Sequence, residues 1–185
     1  MAEAFRIGPV AVGYRTDASV LRVTDLLRPT YQFDAEGGGM DNELSVPEKL
    51  KANAELVVST FRGELGTELS FDQAGVEWVD GYIERVREHF PKERRSGLVS
   101  TLASFVGESI IRTFGGEWVE KGGWWGVQVS ERLWACPFAK VEKQFESGAE
   151  DSVASFFRCI PLLDNQFEQG RPEADAAEDR SPRRR

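Results

Sequence analysis

From residue 45 to residue 114 the apolar positions recur at helical spacing. Leu50, Ala54, Val57 and Phe61 make a first stripe. Before it stands Ser45-Val46-Pro47-Glu48, where a serine cap, an early proline and a glutamate three residues on mark a helix start. Gly63 or Gly66 can end that run. A second stripe, Phe71, Gly75, Trp78, Val79, Tyr82, Ile83, Val86 and Phe90, follows another capping-box string, Ser70-Phe71-Asp72-Gln73, and Pro91 closes it. Asp72, Glu77, Asp80, Glu84, Arg87 and Glu88 fall mostly on its other side. From about Gly97 a third helix carries Leu98, Leu102, Phe105, Val106, Ile110 and Phe114 on one face, with Glu108 and Arg112 at i, i+4. Gly115-Gly116 end it, and the short charged link before it predicts that helices two and three are antiparallel neighbours.

After Gly116 the period changes to two. Gly122-Gly123 suits a type I′ turn, which needs positive φ at both central positions, so two antiparallel strands are expected, with Lys121 opposite Trp124, Glu120 opposite Trp125 and Trp118 opposite Val127. Alternation then puts Trp118, Trp125, Val127 and Val129 on one face, with Glu120 near the turn. A third strand, "RLWAC", adds Trp134 and Cys136 to that face, although Ser130-Glu131 is a poor turn. These rings are either core beneath helices two and three or a ligand platform, and a sheet of about three strands needs a covered apolar face to be stable. Trp124 falls on the opposite face beside Lys121, packed by a later helix or exposed as an interaction anchor.

Pro137 opens a fourth helix with Phe138, Val141 and Phe145 inward and Lys140 and Lys143 outward, and Gly148 ends it. Asp151 is the expected cap of a fifth, which carries Val153, Phe156, Phe157 and Ile160 until Pro161 stops it. The expected organisation is therefore a weakly structured segment 1–39 with a glycine-rich linker, an α+β domain over 45–163 and a disordered charged tail over 164–185. The fold class is a helical layer on a small antiparallel sheet, with two C-terminal helices and flexible ends.

Composition narrows function mainly by subtraction. The net charge of −8 disfavours a nucleic-acid backbone as the main partner, and the basic clusters at 92–95 and 183–185 are not interleaved with aromatics. No apolar run is long enough to span a membrane and the first residues lack a leader pattern, so the expected location is the cytoplasm. Cys136 and Cys159 sit among apolar neighbours and read as small buried hydrophobes. His89 is the only histidine, no hydrolase elbow, P-loop or dinucleotide fingerprint is present, and no metal or cofactor is called for. Glu117 and Glu120 point to opposite faces by alternation, which argues against a shared site as paired carboxylates.

Residues 97–157, with "FVGESIIRTFGGEWV", then "WWGVQV", then "PFAKVEKQFESGAEDSVASFF", resemble an uncharacterised bacterial domain family of unknown function. The resemblance implies a small α+β unit and no catalytic residues. The leading expectation is a non-enzymatic, cytoplasmic bacterial protein-binding module, of the kind that blocks a partner as immunity proteins do, its acidic surface suiting a basic partner. Trp124, Lys121, Lys140, Lys143 and Glu120 are its candidate contact residues. The alternative is a small enzyme or ligand-binding domain using a concave site around Glu120, Trp124 and Lys140.

Overall fold

The computed structural model describes Leu27, residues 44–90 and residues 92–169; the readings of the rest of segment 1–39, its linker and the tail past 169 lie outside these. Among these, five α-helices and three strands follow in order: α1 (Val46–Leu65), α2 (Gln73–Val86), α3 (Arg95–Phe114), β1 (Glu117–Lys121), β2 (Trp124–Gln128), β3 (Trp134–Ala135), α4 (Pro137–Ser147) and α5 (Val153–Gln169). The helices form a layer on a three-stranded antiparallel sheet of order β1-β2-β3.

The start of α1 is the one its sequence prescribes. The Glu48 carboxylate accepts from both the Ser45 hydroxyl and the Ser45 N–H at 2.7 Å, and these bonds, the hydroxyl's foremost, hold its carboxyl below the usual carboxylate range. Gly66, at φ 61°, ends the helix. The start of α2 lies two residues later than expected, because Asp72 rather than Ser70 is the cap, accepting the Gly75 N–H at 3.0 Å. Steric closeness explains this: a Cβ on Gly75 would lie 1.9 Å from the Ser70 carbonyl oxygen, so the chain at Ser70 crosses the helix instead of joining it. Phe71 is left to pack on Phe105, ring centroids 5.0 Å apart, beneath the Arg112 guanidinium at 3.6 Å.

Helix α3 is the axis of the molecule. Every residue from Thr101 to Ile110 is buried, so its expected single apolar face has become burial on all sides. Its main helical neighbour is α1 rather than α2. Between α1 and α2, Phe61 meets Trp78 and Tyr82 edge-on at 4.7 and 4.9 Å, and burial pushes the Tyr82 phenol far above its ordinary pKa. Leu27 is fully buried in this core, and its carbonyl accepts from the Thr101 hydroxyl at 3.2 Å.

The polar side of α2 is an interface, which its pattern did not indicate. Asp80 accepts from the Ser152 hydroxyl at 2.6 Å and the Ala154 N–H at 3.1 Å, while Ser152 accepts from the Ser155 N–H at 3.0 Å. This pair, not Asp151, caps α5. Buried Gln144 on α4 completes the joint, donating to the Asp80 carbonyl and to Glu84 at 3.2 Å and accepting from the Val153 N–H at 3.0 Å. Nor does Pro161 stop α5, which continues to Gln169. A proline costs an interior helix about 3 kcal/mol, but the turn after it is anchored through a hydrogen bond from the Ser130 hydroxyl to Asp164.

The β1–β2 register is the expected one, from Glu117 opposite Gln128 to Lys121 opposite Trp124, and Gly122 and Gly123 have φ of 59° and 81°. The third strand corrects the reading of Trp134. Val127 pairs with Ala135 and Gln128 with Trp134, so Leu133 and Ala135 share the inner face and Trp134 lies on the outer one. The link between the strands is a three-residue loop, Ser130-Glu131-Arg132, closed by Val129 N–H to Leu133 O at 2.9 Å, and one residue more than a two-residue turn flips every side chain of the strand. α3 and α4, not α2 and α3, cover the inner face: Trp118 lies over Gly107 and 6.0 Å from the Phe138 ring.

Candidate functional site

Between the first turns of α3, the body of α4 and the tip of the hairpin runs a groove of about 390 Å³, within the ~300–1,000 Å³ of small-molecule pockets. Its walls are mostly apolar: Val99 on α3, Phe138, Ala139 and Phe145 on α4, and Trp124 and Trp125 at the hairpin. The hairpin borders the groove at its tip, where Trp124 and Trp125 are consecutive residues that alternate across β2. Trp125 packs against the core, whereas Trp124 is 64 % exposed.

The charged rim divides into occupied and free groups. Arg95 donates to the Phe90 and Arg87 carbonyls, each at 2.8 Å, and to the Phe145 carbonyl at 3.4 Å, so it ties the end of α2 to α4. Lys92 pairs with Glu146 at 3.1 Å. Glu142 has no ion pair among the described residues, leaving a carboxylate at the rim. The Ser100 hydroxyl oxygen is buried with no hydrogen-bond partner, whereas Ser104 and Ser109 each donate to the carbonyl four residues earlier at 2.8 Å and the one Thr101 hydroxyl proton is shared between the Gly97 and Leu27 carbonyls. The lining holds no histidine, aspartate or cysteine; its ionisable groups are Lys92, Arg95, Glu142 and Glu146. Its shape and polarity suit the reception of an apolar group.

The sequence candidates scatter around this groove. Trp124 lines it, but Glu120 and Lys140 do not, so the concavity expected around those three is not formed by this groove. Lys140, expected to point outward, is partly buried in an ion pair with Asp151 at 2.6 Å, and that bond from Lys140 holds the Asp151 carboxyl below its ordinary range. Lys143 and Glu120 are exposed, and Lys121 lies 6.0 Å from the Trp134 ring on the outer face. Cys159, expected to be buried, is exposed, while Cys136 is half-buried.

Sequence reasoning missed a polar cluster that joins three elements. Trp118 donates its indole N–H to buried Glu108 at 2.9 Å; Glu108 approaches Arg112 at 3.6 Å, and Arg112 pairs with Glu55 at 2.6 Å. The signal available was the Glu108/Arg112 spacing, which is ordinarily a solvated pair. Here the Glu108 end is buried beneath Trp118 of β1, while Arg112 and Glu55 of α1 stay at the surface. Among the described residues no group of three histidine, cysteine, aspartate or glutamate side chains could hold a metal ion, and no helix is long and apolar enough to cross a membrane.

Comparison of the chain with protein-family models, with curated proteins and with solved structures returned no match. The groove therefore has to be interpreted from its own chemistry.

Proposed function

We propose that this is a non-catalytic, cytoplasmic bacterial protein that binds and blocks another protein, in the manner of an immunity protein, and that the groove is its contact surface. The observation that carries the reading is Trp124, a large apolar ring left 64 % exposed on the lip of a concave apolar surface. Exposed tryptophans beside a pocket are the residue type that dominates binding interfaces. The partner this site fits is a segment with an apolar side chain to fill the groove and a neighbouring basic group to meet Glu142. A net charge of −8 favours the same partner at long range.

Affinity capture from the source cell at low and moderate salt, with the wild type and Trp124→Ala in parallel, tests the reading. It predicts one captured protein that is lost both with Trp124→Ala and with added salt. A partner indifferent to both changes would contradict it.

The groove's volume and apolar walls support a second reading, a small-molecule site. That reading predicts quenching of Trp124 fluorescence by a small apolar aromatic compound at ligand concentrations that leave Trp124→Phe unaffected. A signal identical in both proteins would count against it.

A further inference from the structure

One edge of the sheet is open. Among the described residues nothing pairs with the outer side of β1, the first strand in the order β1-β2-β3. In a hairpin with a two-residue loop the pair next to the turn is hydrogen-bonded and the pairs then alternate, so Lys121, Val119 and Glu117 direct their backbone groups at β2. Trp118 and Glu120 therefore present their N–H and C=O groups outward.

The side chains along that edge are complementary to themselves. Glu117 and Lys121 lie on the same face of β1, four residues apart, about 13 Å at the rise of a strand. Within one copy they cannot meet. Neither forms an ion pair among the described residues, and both are exposed. A charge on an edge strand commonly keeps other strands away. Here opposite charges stand two residues on either side of half-buried Val119, an arrangement that a two-fold axis through Val119 converts into two ion pairs.

We propose that β1 pairs antiparallel with β1 of a second copy of this chain, centred on Val119, to make one continuous six-stranded sheet. In that register Trp118 faces Glu120 of the other copy, so the outward N–H and C=O groups of both residues are satisfied in closely spaced pairs. Val119 meets Val119, and Glu117 meets Lys121 twice. Other registers do not fit. A shift by one residue sets outward groups against groups that β2 already uses. A shift by two sets Glu120 against Glu120, or else Glu117 against Val119 with Lys121 unmatched. The dimer places Trp134 and Lys121 of both copies on one outer face and pairs residues 117–121, none of which lines the groove, so it is independent of the function proposed above.

Sedimentation of the full chain at concentrations up to about 1 mM reads the dimer directly, and charge exchange keeps the test separate from folding. Glu117→Lys makes both strand positions basic, and Lys121→Glu makes both acidic. Each variant alone is expected to dimerise at least about tenfold more weakly, because two attractive pairs become two repulsive ones. An equimolar mixture of the two restores attraction at both positions and is expected to form a heterodimer at least as readily as the wild type dimerises. A wild type that stays monomeric throughout, a dimer indifferent to either substitution, or a mixture that does not recover would each overturn the proposal.

Discussion

The two faces of the sheet carry the same kind of residue to opposite ends. On the inner face Trp118 is 8 % exposed, its ring pressed on Gly107 and its N–H held by Glu108. On the outer face, Trp124 is 64 % exposed and Trp134 lies across Gly126 with Lys121 beyond it. Local composition does not separate Trp118 from Trp124, since both stand in glycine-rich, tryptophan-rich sequence. Strand alternation separates them. The inner tryptophan also needs a buried acceptor, because an indole N–H without one would cost part of what its burial contributes. On the outer face the half-buried Trp134 directs its N–H at the Val119 carbonyl at 3.4 Å, and Trp124 is the ring left available for contact.

The substitutions that break this contrast can be ranked. Trp118→Ala should cost about 3–5 kcal/mol, leaving a cavity beneath α3 and removing the hydrogen-bond donor to Glu108. Denaturant unfolding would show this as a lower midpoint. Gly107→Ala follows at about 1–3 kcal/mol, since its Cβ would lie 2.0 Å from a Trp118 ring that is locked in place. The matching change outside, Gly126→Ala, meets the Trp134 ring, which can swing toward solvent, and also the Ala135 carbonyl oxygen at 2.5 Å, which is strand backbone and cannot, so a cost in the same range of about 1–3 kcal/mol is expected.

Asp72→Ala, remote from both faces, supplies a reference of about 1 kcal/mol for a lost helix cap. The Gly75 N–H, then the Ser70 hydroxyl, hold the Asp72 carboxyl below its ordinary value. Its contribution is thus present above the ordinary aspartate pKa of about 3.9 and is lost as pH falls through the lower folded value. The stability gap between variant and wild type should close under acid, whereas the Trp118 gap has no such source of pH dependence in Asp72. Trp124→Ala should change stability by no more than about 0.5 kcal/mol while removing partner binding. A large loss of stability there would mean that the outer ring is structural.

Where local chemistry decides the backbone, the sequence was readable. Ser45 to Glu48 and Gly122-Gly123 each specify one conformation, and both the α1 start and the β1–β2 register follow from them. Reading failed where a distant residue decides. Asp80 and Glu84 look like a solvated face until α4 and α5 arrive with Gln144 and Ser152. Pro161 looks terminal until Ser130 holds Asp164. Trp134 was placed inside because a glycine-free loop was counted as two residues, and Gln128, which donates to the carbonyls of Ser130 and Leu133, stabilises three instead. Of the candidate site, Trp124 was legible from alternation alone. The groove beside it was not, because its walls come from three elements that only the tertiary packing brings together.

Exchange of the five indole N–H protons with solvent, followed residue by residue in the folded protein by NMR, tests the split between the faces most directly. The Trp118 proton, bonded to buried Glu108, should be the slowest of the five and the Trp124 proton the fastest. A rapidly exchanging Trp118, or a Trp124 protected as well as Trp118, would contradict the arrangement of the sheet and with it the assignment of the groove.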